Sequence, residues 1–255
     1  MLKFEKLPQL RRHSYFFLQK AKETCPVYLS IEIDMSCVKV YRENHAVENN
    51  KISYIAFLIH SISKIYKKYP MANSVITGWL SPKIAVSDMV IAKFPIDTII
   101  NGKRVVVAGY IPDSDKMSLN DIQNKINDYK KNSPERESDL KVSTDFNWMY
   151  KLPFIFNKWI YKFIVRNPAK REKMYGTFVI TSLGHRPIKQ FFPMGNNVMS
   201  FGVGAIRDVV VMKENQMTSV PILELCMVFD HRLLDGATAA DILTDIKSNL
   251  ESDYK

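Results

Sequence analysis

The sequence predicts an α/β domain with a largely mixed sheet. Three observations carry that class. Short strand-like runs crowd the last third of the chain, helical periodicity recurs early, in the middle and at the end, and the two do not alternate as regular βαβ units. With 255 residues, 46% of them hydrophobic and 24% charged, the chain can bury one sizeable core. Its 12 prolines and 9 glycines are dispersed and no fixed-period repeat appears, so one globular unit over 1–255 is expected.

The first element is a half-buried strand. In VYLSIEIDMSCV (27–38), Val27, Leu29, Ile31 and Ile33 alternate with Tyr28, Ser30, Glu32 and Asp34. ISYIAFLIHSISKIYKKYP (52–70) then places Ile55, Leu58, Ile59, Ile62, Ile65 and Tyr66 at helical spacing, and Pro70 marks its stop. KIAVSDMVIAKF (83–94) and KRVVVAGYI (103–111) read as paired strands, separated by Pro95 and the turn signal Asn101-Gly102. SLNDIQNKINDYKKN (118–132) opens with Ser118 three residues before Asp121 and repeats Leu119, Ile122, Ile126 and Tyr129, a capped amphipathic helix.

Residues 135–175 read as an aromatic and basic insertion. On a helix through this segment Lys151, Lys158, Lys162 and Arg166 share one face, while Phe156, Trp159, Ile160 and Phe163 share another. Such a helix can lie on a membrane surface or cover an active-site mouth. The plainer expectation is a helix docked on its own core with a solvated basic face. Strands return in YGTFVITSL (175–183), MSFGVGAI (199–206), RDVVVMKEN (207–215) and SVPILELCMVF (219–229), and a last helix runs from about Ala237 to Glu251.

The formal charge of +10 points to an anionic partner: a phosphate-bearing cofactor, a membrane surface or nucleic acid. Dispersed Lys and Arg, without zinc-finger spacing or an RNP-like stretch, argue against nucleic acid. Cys25, Cys37 and Cys226 form no CxxC pair and no cluster with His, so neither a disulfide framework nor a metal site is expected, and a reducing cytoplasm is the expected location. The stretch MLKFEKLPQLRRH lacks a secretory apolar core, and no apolar run approaches the roughly 20 residues that cross a bilayer.

Two short motifs invite chemistry. Gly202-Val203-Gly204 suggests a nucleotide loop, but a strand rather than a helix follows it, so a tight turn or close strand packing explains it better. In FDHRLLDGATAADIL (229–243), His231 follows an apolar strand, Asp235 is placed to cap the last helix, and Gly236 permits an unusual turn. For an arbitrary histidine with these neighbours, an incidental place in a strand-to-helix turn is the better account. As chemistry, His231 would be a general base for a thiol or hydroxyl, Asp235 would hold the loop or ring, and Thr181 or Ser182 would donate to a tetrahedral oxyanion.

DHRLLDG, GTFVITSLG and FGVGAI, in this sequence with the segments around 28–38, 57–74 and 105–126, resemble the catalytic domain of the dihydrolipoamide acyltransferases of 2-oxoacid dehydrogenase complexes. Through His-x-x-x-Asp-Gly the chain is also similar to chloramphenicol acetyltransferase. The resemblance implies a two-layer sandwich of a mixed sheet with helices packed on it. It makes His231 the base and Asp235 its supporting acid. The oxyanion donor falls at Thr181, where the family usually has Ser, and Ser182 stays open as the alternative.

The resemblance further implies acyl-CoA as substrate, no metal and no covalent enzyme intermediate. It also implies a trimer, or multiple of trimers, with the site between subunits. No lipoyl or peripheral subunit-binding domain is read in 1–255, so no bound lipoyl group is expected, and an acceptor thiol, hydroxyl or amine other than a lipoyl group ranks first. A dehydrogenase-complex core served by a lipoyl domain in trans comes second. A non-catalytic trimeric scaffold, with 145–173 touching a membrane or partner, comes third.

Overall fold

The computed structural model describes residues 2–5, 7, 9–45, 51–78, 80–100, 103–131, 152–213 and 215–254. Their elements run α1 (Gln9–Ala21), β1 (Pro26–Asp34), α2 (Ser36–Asn44), α3 (Tyr54–Tyr66), β2 (Ser74–Thr77), β3 (Lys83–Val86), β4 (Ala92–Ile100), β5 (Lys103–Ile111) and α4 (Leu119–Lys131). Then come α5 (Phe154–Arg166), α6 (Pro168–Tyr175), β6 (Phe178–Ser182), β7 (Met199–Val203), β8 (Arg207–Lys213), β9 (Gln216–Asp230) and α7 (Gly236–Ser252).

Among the described residues one mixed sheet takes the order β1-β9-β7-β6-β4-β5, with β8 pairing the first half of β9. β9 is antiparallel to β1 and β7, whereas β6 is parallel to both β7 and β4. Helices α3 and α7 cover one face. Phe57, Leu58 and Ile62 from α3 and Ile242, Ile246 and Leu250 from α7 meet Phe178, Phe201, Met227 and Phe229 from the strands in the main core. This is the mixed sheet with packed helices that the sequence predicts.

Several local expectations change. The strand read over 27–38 ends at Asp34, because the Asp34 carboxylate accepts a hydrogen bond from the backbone N–H of Ser36 (2.9 Å) and turns the chain into α2. The run 83–94 divides: β3 pairs with β2 in a separate hairpin, while β4 starts at Ala92 and continues through Pro95. Among the described residues β4 pairs beyond Lys93 only with β5, so Pro95 sits where a missing N–H costs no ladder bond. Asn101-Gly102 lies outside the described residues. Helix α4 begins as expected: Ser118 Oγ accepts from Asp121 N (3.2 Å), and the Asp121 carboxylate accepts from Ser118 N (3.3 Å).

The sheet face away from the helices is crossed by the coil of residues 184–198. A Cβ at Gly202 would lie 2.0 Å from the carbonyl oxygen of Phe191, and one at Gly204 would lie 2.1 Å from that of Lys189. These glycines therefore serve close backbone packing.

The insertion behaves otherwise than its periodicity suggests. Of 135–175, residues 135–151 lie outside the described residues, Lys151 among them. Helix α5 docks through Tyr161, Ile164 and Val165, with Ile160 beside them, onto Phe16 and Phe17 of α1 and Met174 and Tyr175 of α6, forming a second, smaller core. The stripe of Phe156, Trp159 and Phe163 points outward instead; only Ile160 of the expected apolar face turns inward.

Candidate active site

The turn after β9 is built around Asp230. Its N–H donates to Val198 O (2.9 Å), and the next residue's N–H, that of His231, donates to Cys25 O (2.9 Å), so the strand end is held from both neighbouring strands' approaches. The buried Asp230 carboxylate accepts from the Arg232 side chain (2.5 to 3.2 Å) and from the backbone N–H groups of Arg232 and Cys25 (3.2 Å each). Burial pushes the Asp230 carboxyl up, but these charge-assisted bonds outweigh it and hold the group below its ordinary value. Asp230 thus clamps the turn and Arg232 neutralises it. Between them His231 is left exposed, its ring 5.8 Å from that of buried Phe229.

The other sequence-derived residues fall unevenly. Asp235 occupies the N-cap position of α7, but its side chain makes no capping bond; only its backbone O accepts, from Ala239 N (2.9 Å). Gly236 has no positive φ, and a Cβ there would meet nothing within 4 Å, so the turn does not require glycine as expected. Thr181 lies opposite Gly202, which lies opposite Cys226, on the sheet face away from the helices. Its hydroxyl forms no hydrogen bond within the described residues. Ser182 points to the other face, and its Oγ accepts from Gly184 N (3.2 Å).

The register decides how far Thr181 is from His231. Asp230 stands level with Val198, so Thr181, level with Gly202, lies two strands across and about five residues along from His231. At strand spacing and rise, this is roughly 20 Å. One chain does not bring the two groups together.

Beside the turn opens a cleft of about 550 Å³ whose walls include Asp230, Arg232 and Leu233 from the turn, Val75–Gly78 from the β2 hairpin, and Lys162, Arg166 and Arg171 from α5 and α6. Arg232 is neutralised by Asp230, and Lys20 by Glu23. Arg171 instead donates to the carbonyl oxygen of Asn196, and burial lowers its guanidinium below the ordinary value. Asn196 and Asn197 fix this wall by donating to Phe17 O (3.0 Å) and Gly176 O (2.7 Å). Sequence reasoning missed both Asp230 and Arg171. The first had a signal, an Asp and an Arg bracketing the histidine at a strand end. The second had none, since its role depends on α6 folding back to the turn.

The family model described as 2-oxoacid dehydrogenases acyltransferase (catalytic domain) matches residues 3–144 and 166–255. The chain belongs to this family. Among curated relatives of this acyltransferase domain, the dihydrolipoyllysine-residue acetyltransferase component of the pyruvate dehydrogenase complex of Bacillus subtilis is 24% identical over 95% of the chain and 49% of its own length. The Staphylococcus aureus counterpart is 23% identical over 97% and 51%. The chain spans about half the length of the curated relatives it matches.

Solved structures share the fold. A probable dihydrolipoamide acetyltransferase from Listeria monocytogenes superposes with a TM-score of 0.74 at 21% identity, covering 98% of this chain and 94% of that one. The Azotobacter vinelandii dihydrolipoamide acetyltransferase, studied for the role of a serine, a histidine and an asparagine in its catalytic mechanism, gives 0.74 at 17%, covering 98% and 93%. The family match passes over 145–165, the stretch that contains most of α5.

Proposed function

We propose that this acyltransferase domain moves an acyl group between coenzyme A and a dihydrolipoyl group, with His231 as base. The observation that carries the reading is the exposed histidine presented by the Asp230–Arg232 clamp at the end of a buried strand, in a chain of this family. The sequence reading ranks a simple acceptor ahead of a lipoyl group; the pyruvate dehydrogenase relatives reverse that order.

In the proposed step His231 takes the proton of an acceptor S–H, and the thiolate attacks the acyl thioester carbonyl. The tetrahedral oxyanion accepts a hydrogen bond from Thr181. On collapse the new C–S bond stays, the old one breaks, and the departing thiolate recovers the proton from His231. Two features support Thr181 over Ser182: its hydroxyl makes no hydrogen bond among the described residues, and Ser182 faces the helices. The Azotobacter protein's serine precedes its histidine by about fifty residues, as Thr181 precedes His231, and its asparagine follows the histidine by four, as Asp235 does here.

Because roughly 20 Å separates Thr181 from His231 in one chain, the donor comes from a neighbouring subunit, which supports a trimer or multiple of trimers. Arg171, in the cleft beside the turn, suits the phosphates of coenzyme A.

The test measures coenzyme A thiol release from acetyl-CoA with dihydrolipoamide as acceptor. His231→Ala is expected to lose about 10²–10⁴-fold or more in turnover without losing its fold; retained turnover would refute the assigned base. Co-refolding His231→Ala with Thr181→Val should recover part of the activity, since some interfaces then combine an intact His231 with an intact Thr181. Mixtures as inactive as either parent would overturn the shared site.

A further inference from the structure

Helix α5 has two apolar sides and uses one. Its inner side, Tyr161, Ile164 and Val165, is spent on the small core. On its outer side Ile155, Phe156, Trp159 and Phe163 are 70%, 60%, 75% and 74% exposed. Phe154 and Tyr15 extend this surface, their rings 5.6 Å apart. Four large side chains on one helix face, each able to bury 150–250 Å² if aromatic, make a patch at or beyond the several hundred Å² that monomers commonly expose.

Charge selects the occupant. Lys158, Lys162 and Arg166 run along one edge of the stripe, and α5 contains no acidic residue. A second copy would bring the same basic edge to this face, with no acidic residue on α5 to pair it. A surface that offers both anionic phosphates and an apolar layer just beneath them complements the helix on both counts, and Trp beside Lys and Arg is the composition of a helix lying in that boundary. The family match passes over 145–165, the stretch that holds most of this face.

We propose that the outer face of α5 docks on an anionic phospholipid bilayer, with Ile155, Phe156, Trp159 and Phe163 at the boundary of headgroups and acyl chains and the basic edge on lipid phosphates. The proposal does not depend on acyl transfer.

The test is sedimentation of the full chain with phosphatidylcholine vesicles, with and without phosphatidylglycerol, at low and high salt, read alongside tryptophan emission and native mass without lipid. Wild type is expected to pellet with the anionic vesicles at low salt, to release at high salt and to shift its emission to the blue. Trp159→Ser with Phe163→Ser, both at exposed positions, should lose binding by at least tenfold with unchanged thermal unfolding. Lys158→Glu should lose about tenfold. Absence of binding to anionic vesicles at low salt overturns the proposal, as does binding unchanged in the aromatic double variant. So does a fall in native mass of that variant without lipid, which would show that a second copy covers the face.

Discussion

The molecule's two hydrophobic clusters make opposite use of amphipathic helices. In the main core, α7 has one apolar face, Ala239, Ile242, Leu243, Ile246 and Leu250, and buries it on the sheet. In the small core α5 is apolar on two sides, and it buries Tyr161 and Ile164 while leaving Trp159 and Phe163 in solvent. Periodicity identifies the faces of a helix; which face is buried follows from it only when one of them is polar. The main cluster carries the His231 turn on a rigid strand end, whereas the small cluster adds surface.

That contrast can be broken or sharpened by measurement. Ile246→Ala, at a fully buried site between α7 and the sheet, is expected to cost about 2–5 kcal/mol in denaturant unfolding. Ile164→Ala in the small core should cost less, near the bottom of that range, because its few neighbours can relax. Equal costs would mean that α5 is as integral as α7.

Asp230→Asn should come next, at about 2 kcal/mol, discounted because Arg232 is more than a third exposed, and it should lower turnover by loosening the His231 turn. A variant with wild-type stability and turnover would remove Asp230 from the site.

The third effect depends on pH. His60 of α3 bonds Tyr254 Oη through Nδ1 (2.8 Å), and burial, aided by the charge of Lys64, lowers its pKa from 6.5 to about 4. The unfolded chain takes up this proton at the ordinary value while the folded chain resists it. Stability is therefore complete above about pH 6.5 and falls as the pH drops through this window toward 4. Thermal melts of His60→Gln should show a flatter acid limb; an unchanged limb would exclude His60 as its source.

The smallest effect expected is that of Trp159→Ser, within about 0.5 kcal/mol of wild type because the residue is 75% exposed. A larger loss would show that the outer face of α5 is packed in solution.

Much of the fold was legible because many elements have a single reading. Ser118 and Asp121 begin α4, Ile55 through Tyr66 define α3, and the strands around Thr181, Phe201 and Leu225 have no competing helical pattern. Other elements were misread for local reasons. The α2 helix was hidden because a carboxylate at Asp34 redirects a run that continues apolar, and β4 because Pro95 ends a strand only where both edges are paired.

The sequence by itself determined the α/β class, the capped start of α4, and the residues that raise the question of acyl transfer: His231, Asp235, Thr181 and Ser182. Those properties reside in side-chain chemistry and in spacing along one segment. Only the tertiary structure decided that Asp230 and Arg232 hold the histidine outward, that the Thr181 hydroxyl makes no hydrogen bond among the described residues while Ser182 Oγ accepts one, that Thr181 and His231 are too far apart to meet in one chain, and which side of α5 faces solvent. Each depends on which residues far apart in the chain become neighbours, and burial and register exist only once the sheet has formed.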